Sequence, residues 1–210
     1  MSRAATSQKA VTGCSKNDAP LLGVFDGGNH GSVTYFGAVG ESPVVRSLFT
    51  RLPSGMSARR CSQTSPILGI DEDRYHVGIE SQFYDGASAV ATGDKTNYAK
   101  LMFLASVPPE VSGKDVILVS LYHSLNPEKV LKIQRSLEGE HHWTRNGIAM
   151  SVNVKAVEVH LEGAGAWHEI HPEGKADSWS LVIDIGGSTW AASVCDVNGV
   201  VEDQTSSVQG

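Results

Sequence analysis

Cysteine is scarce in this chain. It has three, Cys14, Cys61 and Cys195, widely scattered and without CxxC spacing. That pattern argues against a disulfide scaffold and a thiolate zinc site, and a reducing cytoplasm is the expected setting. Long apolar runs are missing: none approaches the roughly 20 residues that cross a bilayer. The opening MSRAATSQKAVTGCSKNDAP lacks the apolar centre of a secretory signal, so no membrane association is expected. Positive charge is short as well. Lys and Arg number 17 against 23 Asp and Glu, and the net charge of −6 argues against a general nucleic-acid-binding surface. No Gly-x-Ser-x-Gly elbow and no HExxH helix is found. What remains is an ordinary globular composition, 40% hydrophobic and 19% charged in 210 residues, enough for one core and part of a second unit.

Residues 1–19, rich in Ser, Ala, Thr and Lys, read as a disordered tail. Order begins at PLLGVFDGG (20–28), an apolar strand closing on an acid and glycines, with SVTYFGAV (32–39) returning antiparallel. Residues 42–66 start as a strand and pass into a Gly/Ser/Pro loop carrying Arg51, Arg59 and Arg60, and RYHVGIES (74–81) is a further strand. Tyr98, Leu101, Met102 and Ala105 recur at helical spacing over 94–107. DVILVSL (115–121) reads as a strand covered on both faces. NPEKVLKIQRSLEG (126–139) carries helix punctuation: Asn126 as cap, Pro127 in the first turn, a Val130/Ile133/Leu137 stripe and Gly139 at the end. MSVNVKAVEVHLEG (150–163) alternates as a strand and AGAWHEI follows as a short helix. SWSLVIDIGG and TWAASVCDV form a strand pair, and Asn198-Gly199 signals a type I′ hairpin.

One theme occurs twice. LLGVFDGGNHGSVTYFG and LVIDIGGSTWAASVCDV share the order apolar strand, Asp, glycines, small polar residues, strand. Glycine lets a backbone turn sharply and approach a phosphate with its N–H groups. Asp26 and Asp184 repel phosphate, so they make chemical sense with a hard cation such as Mg²⁺ between, held through its waters. A single Asp-x-Gly is usually a plain turn; two on matching strands are more specific.

The two hairpins resemble the phosphate-1 and phosphate-2 motifs of the actin/Hsp70/sugar-kinase ATPase superfamily, and the chain is most similar to bacterial actin-like proteins of the ParM/StbA plasmid-segregation type. YHVGIES, GDKTNYAKLMFLAS, VILVSLYHSLNPEKVLKIQRSLEGEHHWTRNG and VKAVEVHLEGAGA follow that group's order, and the resemblance covers about residues 20 to 210. It implies an α/β fold: a ribonuclease-H-like domain I with mixed sheet and flanking helices over 20–176, and the first strands of a similar domain II over 177–210. It implies that Asp26, Gly27, Gly28 and Asn29 form the first phosphate loop, and Gly186, Gly187, Ser188 and Thr189 the second. Asp26 and Asp184 would organise Mg²⁺, and Glu162 in VEVHLEG would orient the attacking water. From the residues alone Glu162 reads as a solvated acid at a strand end. ATP and Mg²⁺ are the implied cofactors. The implied partners are further copies in a filament, or a chain completing domain II, with DNA reached through an adaptor protein.

The chain departs from the pattern in places. Val33 stands near a position where many relatives have a phosphate-reaching Lys, Trp190 is bulky after the second loop, and Leu161 replaces a common Pro. Nothing matches the Gly-rich adenosine-binding loop of the second domain, so a truncated or split module is expected. Two other readings are open: a non-catalytic assembly module, and a sugar-kinase or ROK-like protein, whose phosphate loops DIGGST also resembles. His160, His168, His171, His141 and His142 read as surface or supporting residues more readily than as a zinc site.

Overall fold

The computed structural model describes residues 19–57, 60–89, 94–185, 189–201 and 206–209. Residues 1–18 of the expected tail, Arg59, and Gly186, Gly187 and Ser188 of the second phosphate loop lie outside the described residues. The strands run β1 (Leu21–Gly27), β2 (Gly31–Phe36), β3 (Gly40–Glu41), β4 (Val45–Arg46), β5 (Leu48–Leu52), β6 (Ile67–Ile70), β7 (Asp73–Val77) and β8 (Ser88–Ala89). Helix α1 (Ala99–Ser106) leads to β9 (Lys114–Tyr122), and α2 (Pro127–Leu137) leads to β10 (Gly139–Arg145) and β11 (Ile148–Leu161). Helix α3 (Glu162–Ile170) precedes β12 (Ser180–Ile185), β13 (Thr189–Asp196), β14 (Gly199–Val200) and β15 (Ser206–Gln209).

These strands make two sheets. The larger is mixed and ordered β3-β2-β1-β9-β11-β10-β6-β7-β5-β8, with β4 also on β2. At its centre β1, β9 and β11 are parallel, while β2 and β10 run antiparallel to their neighbours. The smaller sheet is an antiparallel meander in which β13 carries β12 on one edge and β14 and β15 on the other. The two copies of the hairpin theme are geometrically alike. In each, the acid pairs with the residue seven positions on: Asp26 with Val33, Asp184 with Ala191.

Helix α1 has Met102 to Ser106 all buried, as a helix covered on every side must. It packs with α2 on the Phe25, Val116 and Leu118 side of the large sheet, and these residues share one apolar core. Helix α2 is built as the sequence predicts. Asn126 accepts from the N–H of Glu128 (3.1 Å) and of Lys129 (3.4 Å), Pro127 opens the helix, and Ile133 and Leu137 are buried. Gly139, at φ 104°, lets the chain leave it for β10.

Several expectations are corrected. The helix over 94–107 is divided: a 3₁₀ turn at Lys95–Asn97, capped by Asp94, precedes α1, because the Asp94 side chain takes the Thr96 N–H. The strand over 74–81 ends at Val77; Gly78, at φ 97°, turns it into a 3₁₀ segment at Ile79–Phe83. Residues 48–52 form β5 instead of loop, and Arg51 there pairs with Asp73 across to β7. Strand β9 is fully covered on one face only. Val116 and Leu118 are buried while Ile117 is 37% exposed, and Leu22 beside it on β1 is 60% exposed.

Strand β10, which periodicity alone did not mark, joins β11 through Asn146-Gly147, both with positive φ. At 198–199 a hairpin forms, but Val197 and Asn198 make the turn and Gly199 opens the return strand. Only Gly199 of that pair has positive φ, at 133°, so the turn is not the type I′ form.

Strand β11 contains a bulge that fixes where its last residues point. Alternating burial holds through Met150, Val152 and Val154, then the register against β9 shifts between Val154 and Ala156. Burial resumes one position out of phase at Val157 and Leu161. The strand ends at Leu161, and Glu162, expected within it, is the first residue of α3.

Candidate functional site

Asp26, Tyr122 and Glu162 stand at the carboxyl ends of the three parallel strands. Asp26 pairs with Leu121 of β9, and Leu161 pairs with Tyr122, so the Asp26 and Glu162 positions flank β9 at one edge of the sheet. This is where open α/β sheets receive ligands, because helix starts and loops converge there without strand pairing. The β1–β2 turn above it is tight. A Cβ on Gly28 would come within 2.8 Å of the Gly31 carbonyl oxygen, and the Gly28 carbonyl accepts a 2.6 Å bond from the Ser47 hydroxyl.

The smaller sheet brings the second acid to the same place. Helix α3 lies against it so closely that a Cβ on Gly163 would meet the Ser193 side chain at 2.5 Å. Val182 of β12 is also next to Gly163, and by strand alternation Asp184 lies on the same face as Val182. Asp184 is exposed, yet its charge reaches Asp26. Burial, then the charge of Glu162, push the Asp26 carboxyl up to about 6, with Asp184 adding to the rise and Lys95 opposing it.

Lys95 is the residue that sequence reading passed over. Its Nζ donates to Glu162 Oε1 at 3.1 Å, with the two side chains only 10% and 12% exposed, and lies 5.4 Å from the centre of the Tyr122 ring. It comes from the 3₁₀ turn before α1, which Asp94 caps and which the Lys132–Asp94 ion pair ties to α2 at 3.2 Å. The Asp94-x-Thr96 spacing announces a cap; nothing in it points to a partner 67 residues on. Beside Lys95, a cavity of about 20 Å³, room for about one water, is lined by Gly27, Thr96 and Tyr122. The Thr96 and Tyr122 hydroxyls are buried without a hydrogen-bond partner among the described residues, and burial pushes the Tyr122 phenol up to about 12. His123, next along, is pushed down to about 4, by burial first and then by Lys95 and Lys129.

The structure thus brings Glu162 and Asp184 within electrostatic reach of Asp26, with Gly27, Gly28 and Asn29 following Asp26 into the β1–β2 turn. Thr189 opens β13. Val33 sits opposite Asp26 across the hairpin, so no cation is supplied there. Among the described residues no three His, Cys, Asp or Glu side chains are placed to ligate a metal directly. Asp26, Glu162 and Asp184 offer carboxylate oxygens of the kind a hydrated Mg²⁺ takes, and burial first, then the charge of Glu162, raises the Asp26 carboxyl. The histidines have other uses. His141 is buried and donates to the Leu137 carbonyl at 2.7 Å, and His160 and His142 are exposed beside Glu158 and Glu140. Among the described residues no helix is long and apolar enough to cross a membrane.

Neither a protein-family model nor a curated protein sequence matches the chain. Solved structures do. The chain is similar to apo pSK41 ParM (TM-score 0.67, 16% identity), covering 90% of itself and 65% of that chain. It is similar to an archaeal actin homologue in complex with ADP (TM-score 0.66, 16% identity), covering 90% of itself and 60% of that protein. It is also similar to AlfA, in a filament bound to AMPPNP (TM-score 0.61, 15% identity), covering 91% and 70%. The chain spans less than two thirds of the length of the first two. The fold is that of the actin-like ATPases.

Proposed function

We propose that the chain is an actin-like ATP-binding protein of the ParM/StbA kind, which assembles with nucleotide bound and serves plasmid or DNA segregation from the cytoplasm. One observation carries this reading: Asp26 and Glu162 stand at the carboxyl edge of the central parallel strands beside a glycine turn, with the charge of Asp184 from the second hairpin reaching Asp26. The nucleotides and filament of the similar structures support it in kind. The net charge of −6 fits a protein that reaches DNA through an adaptor.

In this reading Gly27, Gly28 and Asn29 present backbone N–H groups to one side of the polyphosphate, and the role of binding its other side is assigned to Gly186, Gly187, Ser188 and Thr189. Asp26 and Asp184 would hold the waters of a Mg²⁺ ion, which supplies charge neutralisation at the phosphates. Glu162, at the first position of α3, orients a water in line with the terminal phosphate. Phosphoryl transfer asks for little more than such placement and charge stabilisation. The direct test is melting of the intact chain with millimolar ATP and Mg²⁺. An upward shift, lost with EDTA, is the expected outcome, since a ligand that binds only the folded state stabilises it. No shift at that concentration would end the ATP-binding reading.

A second reading, a non-catalytic assembly module, draws on a different observation. Leu181, Ile183 and Ile185 alternate on the outer face of β12 and are 58%, 59% and 66% exposed. Such a face favours association with another chain. Assembly that proceeds equally with and without nucleotide would favour it.

A further inference from the structure

The cleft has an unusual source of positive charge. The β1–β2 hairpin offers Val33 opposite Asp26, while the cation that both Asp26 and Glu162 experience, Lys95, arrives from the 3₁₀ turn before α1. The side chain is held for this position. Asp94 caps its turn, Lys132 anchors Asp94 to α2, and the Tyr122 ring lies 5.4 Å from the ammonium. An ammonium has three donors, and one is used on Glu162 at 3.1 Å. A buried Lys–Glu pair of this kind is close to balanced, because desolvation offsets much of the attraction. A terminal phosphate, with more than one negative charge and three acceptor oxygens, competes for the same ammonium.

The geometry points to Lys95 as the contact for the terminal phosphate of a bound nucleoside triphosphate, a contact that frees Glu162 from its ion pair as it forms. No covalent bond changes; one charge-assisted hydrogen bond is exchanged for another. A diphosphate lacks the competing group, so the Lys95–Glu162 pair persists and Glu162 stays held. Lys95 then makes the cleft distinguish the two nucleotides and releases the water-orienting acid only when a terminal phosphate is there to be attacked. This rests on the nucleotide reading above.

The experiment measures affinity of the intact chain for Mg²⁺·AMPPNP, which is not hydrolysed, and for Mg²⁺·ADP. Lys95→Met is expected to weaken AMPPNP binding at least about tenfold and ADP binding less than about threefold, and Lys95→Arg to restore most of the loss. Because Lys95→Met leaves Glu162 buried and unpaired, the double variant Lys95→Met/Glu162→Gln is measured beside it. The double variant is expected to melt near wild type and still to bind AMPPNP weakly. If it regains wild-type AMPPNP affinity, or if Lys95→Met affects both nucleotides alike, Lys95 only neutralises Glu162 and the phosphate contact is overturned. If wild type binds neither nucleotide, the proposed function falls and this inference with it.

Discussion

Asp26, near the end of β1, and Glu162, at the start of α3, are both partly buried acids, but their surroundings give them different work. Burial first, then two neighbouring negative charges, raise the Asp26 carboxyl from 3.8 to about 6. A folded carboxyl that holds its proton more tightly than the unfolded chain contributes stability below about pH 4 and loses it as the pH rises through about 6. His123, pushed down to about 4, has the opposite slope, contributing above its unfolded value and losing it as the pH falls. The difference between Asp26→Asn and wild type separates the two. The variant is expected to be more stable by about 1–3 kcal/mol at pH 7 and nearly equal below pH 4, measured by urea denaturation across that range without Mg²⁺. Glu162→Gln removes a carboxylate placed to hold water and keeps its shape. It is expected to slow single-turnover ATP hydrolysis by at least about tenfold while leaving Mg²⁺·AMPPNP affinity within about threefold. Equal loss of both would assign Glu162 a supporting role instead.

At the scale of elements, the cleft depends on how α3 meets the smaller sheet. Gly163, in the first turn of α3, leaves no room for a Cβ against Ser193, and Trp167 fills the space behind it at 1% exposure. Gly163→Ala is therefore expected to push α3 away from β12 and β13 and to lower stability by about 1–3 kcal/mol, despite alanine's better helix propensity. A melting curve that rises would show the contact to be slack. Helix α2 offers a contrast. Asn126→Ala removes a cap on an exposed helix start, so about 1 kcal/mol is expected to be lost with no change in nucleotide response. The two substitutions together distinguish general loss of stability from loss of the cleft.

Across the whole molecule, the larger sheet has a well-filled side around α1 and α2, whereas the smaller sheet leaves its outer face open. Leu181 pairs with Val194 and Ile183 with Ala192, so the apolar stripe of β12 continues onto β13. The chain is expected to self-associate through this face, seen as concentration-dependent sedimentation. Ile183→Lys is expected to return it to monomer while the ATP-induced melting shift is kept. Persistence of the assembly in the variant would place the contact elsewhere.

Much of this architecture is legible in the chain itself, because alternation, caps and turns are local. The β1–β2 and β12–β13 hairpins, the acids closing their first strands and the Asn126 cap of α2 all follow from neighbours within a few residues. Asn146-Gly147 announced the β10–β11 hairpin just as clearly, though β10 lacks a regular apolar alternation to match that of β11. What sequence could not express is distance in space. The bulge after Val154 sets the phase that places Leu161 inward before α3 starts at Glu162, and it falls where β11 leaves β10 and pairs with β9 alone. The Lys95–Glu162 pair likewise arises from packing α1 and α2 onto the central strands, which carries a turn to an acid 67 residues away. Short-range chemistry specified the parts; burial of a shared core decided which charges would face one another.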